Sequence, residues 1–325
     1  MGFNETYMIN KDLMVTNKGI IDENTVSIAP ILEFNRIWVS KLLSPANLVN
    51  TKNNNIYFGD NSGNIKSLSS EDGTLLWNYP VHTGIVVKVI IASTGNIISA
   101  GFSDKTVRVT DVATGLNLWK FTGHTDGVNS ILQDPVSKDI YSCSCDGTVK
   151  RINGTGVQVW SYQANSGFIF EIAWATNNCI FAGTANGEVI KLDSSGNLIW
   201  RKSTGSSAIR TLYLAPLFMY ACTSGGKLIK MDTNGNIINI YVLMGINGSI
   251  LDMDIDPLGA ITVVTNTGYL SKITVDGATL LTQRISPSGV HGIRSDALGY
   301  LYASCDTVGI VKINKYLQIV GYREV

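Results

Sequence analysis

Five of the six tryptophans of this chain recur at a nearly fixed distance. Trp38, Trp77, Trp119, Trp160 and Trp200 are separated by 39, 42, 41 and 40 residues. Four of them close similar phrases: DGTLLW (72–77), TGLNLW (114–119), TGVQVW (155–160) and SGNLIW (195–200), with NRIW (35–38) as a shorter version. A period of that length restricts the chain to repeat architectures, because each unit must be one supersecondary motif stacked on its neighbours. It also argues against a catalytic role for the tryptophans, since one residue type returns in unit after unit.

A second phrase extends the period. Short β-prone runs ending in turn residues begin at Leu13, Ile56, Ile98, Ile140, Ile180, Met219, Ile261 and Leu301. Their spacings of 43, 42, 42, 40, 39, 42 and 40 divide the 325 residues into eight units. Inside one unit, FIFEIAWA (168–175), CIFAG (179–183), GEVIKLD (187–193) and NLIWRKS (197–203) are strand-length runs separated by Asn, Asp, Ser and Gly. Runs of four to eight β-prone residues between such breaks read as hairpin-linked strands. Helical repeats of this length would show a period of 3.6, which is absent. Four antiparallel strands per unit, repeated around a ring, describe an all-β single β-propeller. Radial packing lets each sheet cover its neighbour and removes most open edges.

The expected organisation is therefore one propeller over 1–325, with blades near 1–43, 44–83, 84–125, 126–166, 167–206, 207–248, 249–288 and 289–325. Eight blades are expected if residues 5–43 form a blade. Seven are expected if only Asn35–Leu43 joins the ring, as a closing strand beside the C-terminal one. The tryptophan ladder fades at about Asn239, Thr282 and Val320, and Trp174 stands outside it. The five ladder tryptophans are expected to be buried wedges between sheets.

Several of these phrases resemble known repeats. IYFGDNSGNIKSLSSEDGTLLW (56–77), VTDVATGLNLW (109–119) and FAGTANGEVIKLDSSGNLIW (181–200) are similar to the repeats of the quinoprotein, or PQQ-type, propellers. SAGFSDKTVRVTDVATG (99–115), GHTDGVNSI (123–131) and SCSCDGTVKRI (142–152) resemble the WD-repeat, although Thr110-Asp111 stands where that family has Trp-Asp. In WD-repeats the His of a Gly-His pair bonds a turn Asp, which implies a structural pair between His124 and Asp146. The quinoprotein enzymes hold their cofactor beside a vicinal disulfide, and no Cys-Cys pair occurs here. A quinone-dependent dehydrogenase is accordingly the least favoured function, and no cofactor is expected.

Composition narrows the partners. Lys plus Arg equals Asp plus Glu at 25 each, so no basic face for nucleic acid is expected. Charged residues are only 15% of the chain, against about 25% in a typical soluble domain. No run reaches the ~18 apolar residues of a membrane span, and the N-terminus lacks the pattern of a secretory signal. The five cysteines lack zinc spacing and suit a reducing compartment as small buried hydrophobes. A cytoplasmic site, or a particle assembled there, is expected.

Candidate chemistry is sparse. His82 and His124 are one repeat apart and suit loop hydrogen bonding; His291 lies at the last unit's first strand and faces either channel or loop. Asp252, Asp254 and Asp256 alternate with apolar residues and would share one face of a strand. Asp252 and Asp254 are the candidate ligands for Ca²⁺ at the channel, or else plain solvated carboxylates, with Asp256-Pro257 opening a turn. The expectation is a non-enzymatic scaffold that recognises a protein, receptor or glycan through polar loops, as a free scaffold or as part of a virion or phage tail. The alternative is a lyase or hydrolase with an active site at the channel.

Overall fold

The computed structural model describes residues 51–313, less 52–53, 176–177, 206, 216, 244–247, 257–258, 275–276 and 307–308, and the backbone alone of the strands Tyr7–Met8, Met14–Val15 and Arg36–Ser40 and of residues 46–50 and 52. The chain divides into two compact units, Met1–Glu33 and Phe34–Val325. In the first, Tyr7–Met8 pairs antiparallel with Met14–Val15.

The second unit contains seven four-stranded antiparallel sheets. Blade 1 comprises Ala46–Lys52, Asn55–Asp60, Asn64–Ser69 and Leu75–Pro80. Blade 2 comprises Val86–Ile91, Ile97–Gly101, Val107–Thr110 and Asn117–Phe121. Blade 3 runs through Val128–Gln133, Ile140–Ser144, Thr148–Ile152 and Gln158–Gln163, and blade 4 through Ile169–Trp174, Ile180–Thr184, Glu188–Leu192 and Leu198–Ser203. Blade 5 is Ile209–Leu214, Phe218–Thr223, Lys227–Asp232 and Ile237–Val242; blade 6 is Ile250–Ile255, Ile261–Thr265, Tyr269–Ile273 and Thr279–Arg284. Blade 7 takes Val290–Ser295, Leu301–Cys305 and Gly309–Ile313 from the C-terminal part and Arg36–Ser40 as its outer strand. Each first strand packs on the first strands of both neighbouring blades, and that of blade 7 packs on blade 1, so the ring is closed.

The count corrects the eight-blade expectation. Arg36–Ser40 does not belong to a blade of its own but pairs with Gly309–Ile313. The physical reason is the edge. A ring whose last sheet lacked its fourth strand would leave an open β edge, and a strand from the opposite end of the chain satisfies it. The run at Leu13 and the connection at 22–34 otherwise lie outside the described residues.

Burial falls from the axis outward. The second strands are buried at every residue in blades 2, 3, 4, 6 and 7, because neighbouring blades cover both of their faces. The outer strands alternate instead, as in Gln158–Gln163, whose even-spaced Trp160 and Tyr162 are half-buried while their neighbours are exposed. Close approach fixes some small residues. A Cβ on Gly183 of blade 4 would lie 2.6 Å from Ile209 of blade 5, so only glycine lets the two sheets meet there. Cys143, Cys179, Cys222 and Cys305 are buried, Cys145 is half-buried, and none of the five is in a disulfide.

The ladder tryptophans sit on the outer strands. Trp77, Trp119, Trp160 and Trp200 are half-buried, not sealed between sheets as expected. Each of the last three lies on the turn between the third and outer strands of the next blade. A Cβ on Gly156 would meet Trp119 at 2.9 Å, one on Gly196 would meet Trp160 at 2.7 Å, and one on Gly235 would meet Trp200 at 3.0 Å. Trp160 also donates its indole N–H to the Ser194 carbonyl at 3.0 Å. Trp38 stands opposite Lys312, in the register that Trp200 has with Lys191, so the first rung of the ladder belongs to the last blade. The equivalent residues of blades 5 and 6 are Asn239 and Leu281, the latter one residue from the expected Thr282. Val320 lies outside the described residues. Trp174, on the first strand of blade 4, donates to the Gln133 carbonyl at 3.1 Å and meets Tyr141 edge-on.

Candidate functional site: the channel mouth

Every first strand carries an irregularity one residue after its start. The register slips between Val86 and Lys88, Val128 and Ser130, Ile169 and Glu171, Ile209 and Thr211, Ile250 and Asp252, and Val290 and Gly292. A bulge of this kind leaves one residue unpaired and re-aims its side chain. The residues released are Val87, Asn129, Phe170, Arg210, Leu251 and His291, one from each of blades 2 to 7. Together with Glu171 they line a cavity of about 130 Å³. In blade 1 the slip falls between Ala46 and Val49. Six blades therefore contribute chemically different groups to one ring.

The residue after each bulge forms a second, buried layer. Lys88 of blade 2 donates to Ser130 of blade 3 and to Glu171 of blade 4, both at 2.8 Å. Ser130 donates to the same Glu171 carboxylate, which also accepts the Ile172 N–H. On the other side of the ring Asp252 accepts from the Ile293 N–H at 3.0 Å and from Arg294 at 2.5 Å. Asp254 accepts both the backbone N–H and the hydroxyl of Ser295, at 2.5 and 2.6 Å.

These contacts correct the picture of Asp252 and Asp254 as solvated carboxylates. They are 1% and 7% exposed; the Oδ2 of each accepts from the first strand of blade 7, and Asp252 Oδ1 accepts from the Thr211 hydroxyl of blade 5 at 3.5 Å. Burial pushes both carboxyls above their ordinary range, and Arg294 pulls them back. Among the described residues no group of three potential metal ligands converges. Asp256 pairs with Lys272 at 2.8 Å and caps its own turn by accepting the Ala260 N–H. Both aspartates thus tie blade 6 to blade 7. His291, left open between channel and loop, is a bulge residue that lines the cavity. Its Nε2 lies 2.5 Å from Asp306, and no hydrogen bond joins it to Asp252 or Asp254. The acids and the histidine that a channel enzyme would need are thus engaged separately.

Around the mouth the loops of blades 2 and 3 are stiffened by matching networks. His124 Nδ1 lies 2.8 Å from Asp146, and its Nε2 lies 2.8 Å from the Ser142 hydroxyl. Thr148 and the Thr125 N–H donate to the same aspartate. One repeat earlier His82 stands between Asp104 at 3.0 Å and Ser99 at 2.7 Å, with Thr106 and Arg108 donating to Asp104. Burial alone would raise the Asp104 and Asp146 carboxyls, but their histidine and threonine partners hold both well below the usual carboxylate range. Burial pushes the His82 imidazole down, against the pull of Asp104.

The most exposed part of the mouth is aromatic and cationic. Phe168, 47% exposed, meets Phe170 edge-on at 6.2 Å. The Arg210 guanidinium lies over the Phe170 ring, 4.3 Å from its centre. Neither Phe170 nor Arg210 was singled out from the sequence. The signal that finds them is an alignment on the first strands: VVK, VNS, IFE, IRT, ILD and VHG each place a variable residue between a buried Val or Ile and the residue that starts the inner layer.

The comparisons with known families divide along the ring. Residues 73–111 and 115–152 match the WD domain, G-beta repeat, each match running from the outer strand of one blade through the first three strands of the next, from blade 1 to blade 3. Residues 145–238 match a PQQ-type family model described as outer membrane protein assembly factor BamB, which reaches from the end of blade 3 into blade 5. The described residues thus form a seven-bladed β-propeller similar to the PQQ-like and WD-repeat propellers, with the matches falling between the outer strand of blade 1 and the outer strand of blade 5.

Proposed function

We propose that this propeller is a non-enzymatic interaction scaffold that binds a partner on the face carrying the channel mouth. The observation that carries the reading is the cluster of Phe168, Phe170 and Arg210 on that face. Aromatic and Arg side chains dominate binding energy at protein interfaces, where they are set on a rigid base and ringed by less important contacts. Here the base is rigid because Phe170 and Arg210 stand on the inner strands Ile169–Trp174 and Ile209–Leu214, and Phe170 directly precedes Glu171 of the Lys88–Ser130–Glu171 network. The engagement of Asp252, Asp254 and His291 in separate structural contacts supports a binding role over the channel-enzyme alternative.

The low charge and the Asn-, Ser-, Thr- and Gly-rich loops favour a partner surface that is itself largely uncharged: another protein, or a glycan on a receptor. They also suit a place in a larger particle such as a virion or phage tail, assembled in the cytoplasm. A photo-crosslinking residue placed at Phe168, and another at Val136, which is 82% exposed in the turn after the first strand of blade 3, test the face. Partner adducts confined to position 168 are expected. Adducts only at position 136, or binding unchanged in Phe168→Ala, would move the interface elsewhere. Retention on a glycan array, lost in Phe168→Ala, would select the glycan reading over the protein one.

A further inference from the structure

The cations around the axis are not treated alike. Lys88 is paired with Glu171, and Arg294 with Asp252. Among the described residues Arg210 has no carboxylate and no hydrogen-bond acceptor. The contact it makes is with the face of Phe170, and among the described residues no acceptor takes the N–H donors along the edge of the guanidinium. The nearest lining carboxylate, Glu171, is already taken by Lys88, Ser130 and its neighbour's N–H. Burial disfavours the Arg210 charge, and no carboxylate among the described residues pairs with it to repay that cost.

We propose that Arg210 is the receptor for one carboxylate of the bound partner, an acidic side chain or a chain end that enters the channel mouth beside Phe170. The proposal rests on the interaction reading above and adds the chemistry of the group recognised. A carboxylate matches the fork of a guanidinium with two parallel hydrogen bonds, and Phe170 fixes the plane of that fork. Charge selects a monoanion: the site offers one unpaired cation and carries Glu171 in its wall, which opposes a dianion such as phosphate. Size selects a group of a larger partner. The cavity of about 130 Å³ is well under the ~300 Å³ at which sites for free-standing small ligands begin.

The test observes Arg210 directly in the full-length protein. Its ¹⁵Nε–H resonance is assigned from the signal missing in Arg210→Lys. The probes are N-acetyl-glutamate N-methylamide, the corresponding glutamine compound, acetate and inorganic phosphate. The glutamate probe is expected to shift the Arg210 resonance selectively, and the glutamine probe to leave it in place. Arg210→Lys, folded as judged by an unchanged melting temperature, is expected to weaken the glutamate probe at least about tenfold, because the bidentate pair is lost. An equal response to the glutamine probe, or no response, overturns the proposal. Tighter binding of phosphate overturns the monoanion assignment, and acetate as effective as the glutamate probe overturns the partner source. Continued cross-linking at position 168 together with a silent Arg210 would leave the interaction face standing and remove this proposal alone.

Discussion

Blades 2 and 3 and blades 4 to 6 have the same four strands and different fastenings at the same place. Where the second strand turns into the third, blades 2 and 3 use a buried His, an Asp, a Ser and a Thr from three segments of chain. Blades 4, 5 and 6 use one fully buried threonine, whose hydroxyl accepts the N–H of Glu188, Lys227 or Tyr269 at 3.1 Å. The division falls where the WD-type match gives way to the PQQ-type match. The backbone of a blade therefore does not require one particular tie. A charged network reaches across to the preceding loop and stiffens it. A single hydroxyl closes only its own turn.

The largest expected effect breaks the charged tie. Asp146→Ala leaves His124, Thr148 and the Thr125 N–H without their acceptor and should cost about 3 kcal/mol in urea unfolding. Thr223→Ala removes one neutral bond in blade 5 and should cost about 1 kcal/mol. Equal losses would mean that the two fastenings are equivalent. Next in size is Gly196→Ala. It places a side chain at a φ of 85° and 2.7 Å from Trp160, so a loss of roughly 2 kcal/mol is expected. Gly154→Ala meets nothing within 4 Å, and thermal melts should show it near neutral.

Acid should separate the regions as well. The native carboxyls of Asp104 and Asp146 lie below the unfolded value of about 3.9. Their contribution is fully present above that value and is lost as pH falls below it. His82, depressed by burial, adds a loss that begins below its unfolded value of about 6.5. Melting temperatures between pH 7 and pH 4.5 should therefore fall more steeply in Asp104→Asn than in the native protein, because His82 loses the partner that pulls its imidazole up, whatever the variant's starting stability. An unchanged slope would detach the networks from acid sensitivity. The smallest effect is expected from Asn239→Trp, which restores the missing rung in blade 5. A Cβ on Gly277 in the next blade would already meet Tyr241 at 2.0 Å, so the added ring finds its seat taken. A change within about 0.5 kcal/mol by calorimetry is expected.

Much of the fold is legible in the sequence because a repeat prints its own period. The strands, their turns and the outer position of the tryptophans follow from local pattern. The blade count is less legible, since the first tryptophan in the chain belongs to the last sheet in space. Trp38 looks like the head of the series, and only its pairing opposite Lys312 places it at the tail. The site is harder still. Arg210 is one arginine within an ordinary β run, and its exposure to the channel depends on a slip in register that leaves no residue type behind. The Asp252–Arg294 contact spans 42 residues, the repeat length itself. In a ring, that is the distance between neighbours, so a functional acid and a structural tie look the same from the sequence.

The closing strand also sets an order in time. Arg36–Ser40 leaves the ribosome before all seven inner strands, yet the strand it pairs with ends at Ile313. At 5–20 residues per second, the intervening ~270 residues take roughly 15–55 s to make. Through that interval blades 1 to 6 can complete their sheets in succession, while residues 36–40 remain an unmatched strand beside a growing open ring. The last step in closing the ring is then a single long-range pairing. Whatever shields Arg36–Ser40 until then, in the nascent chain or around it, governs how much of the protein reaches the closed ring.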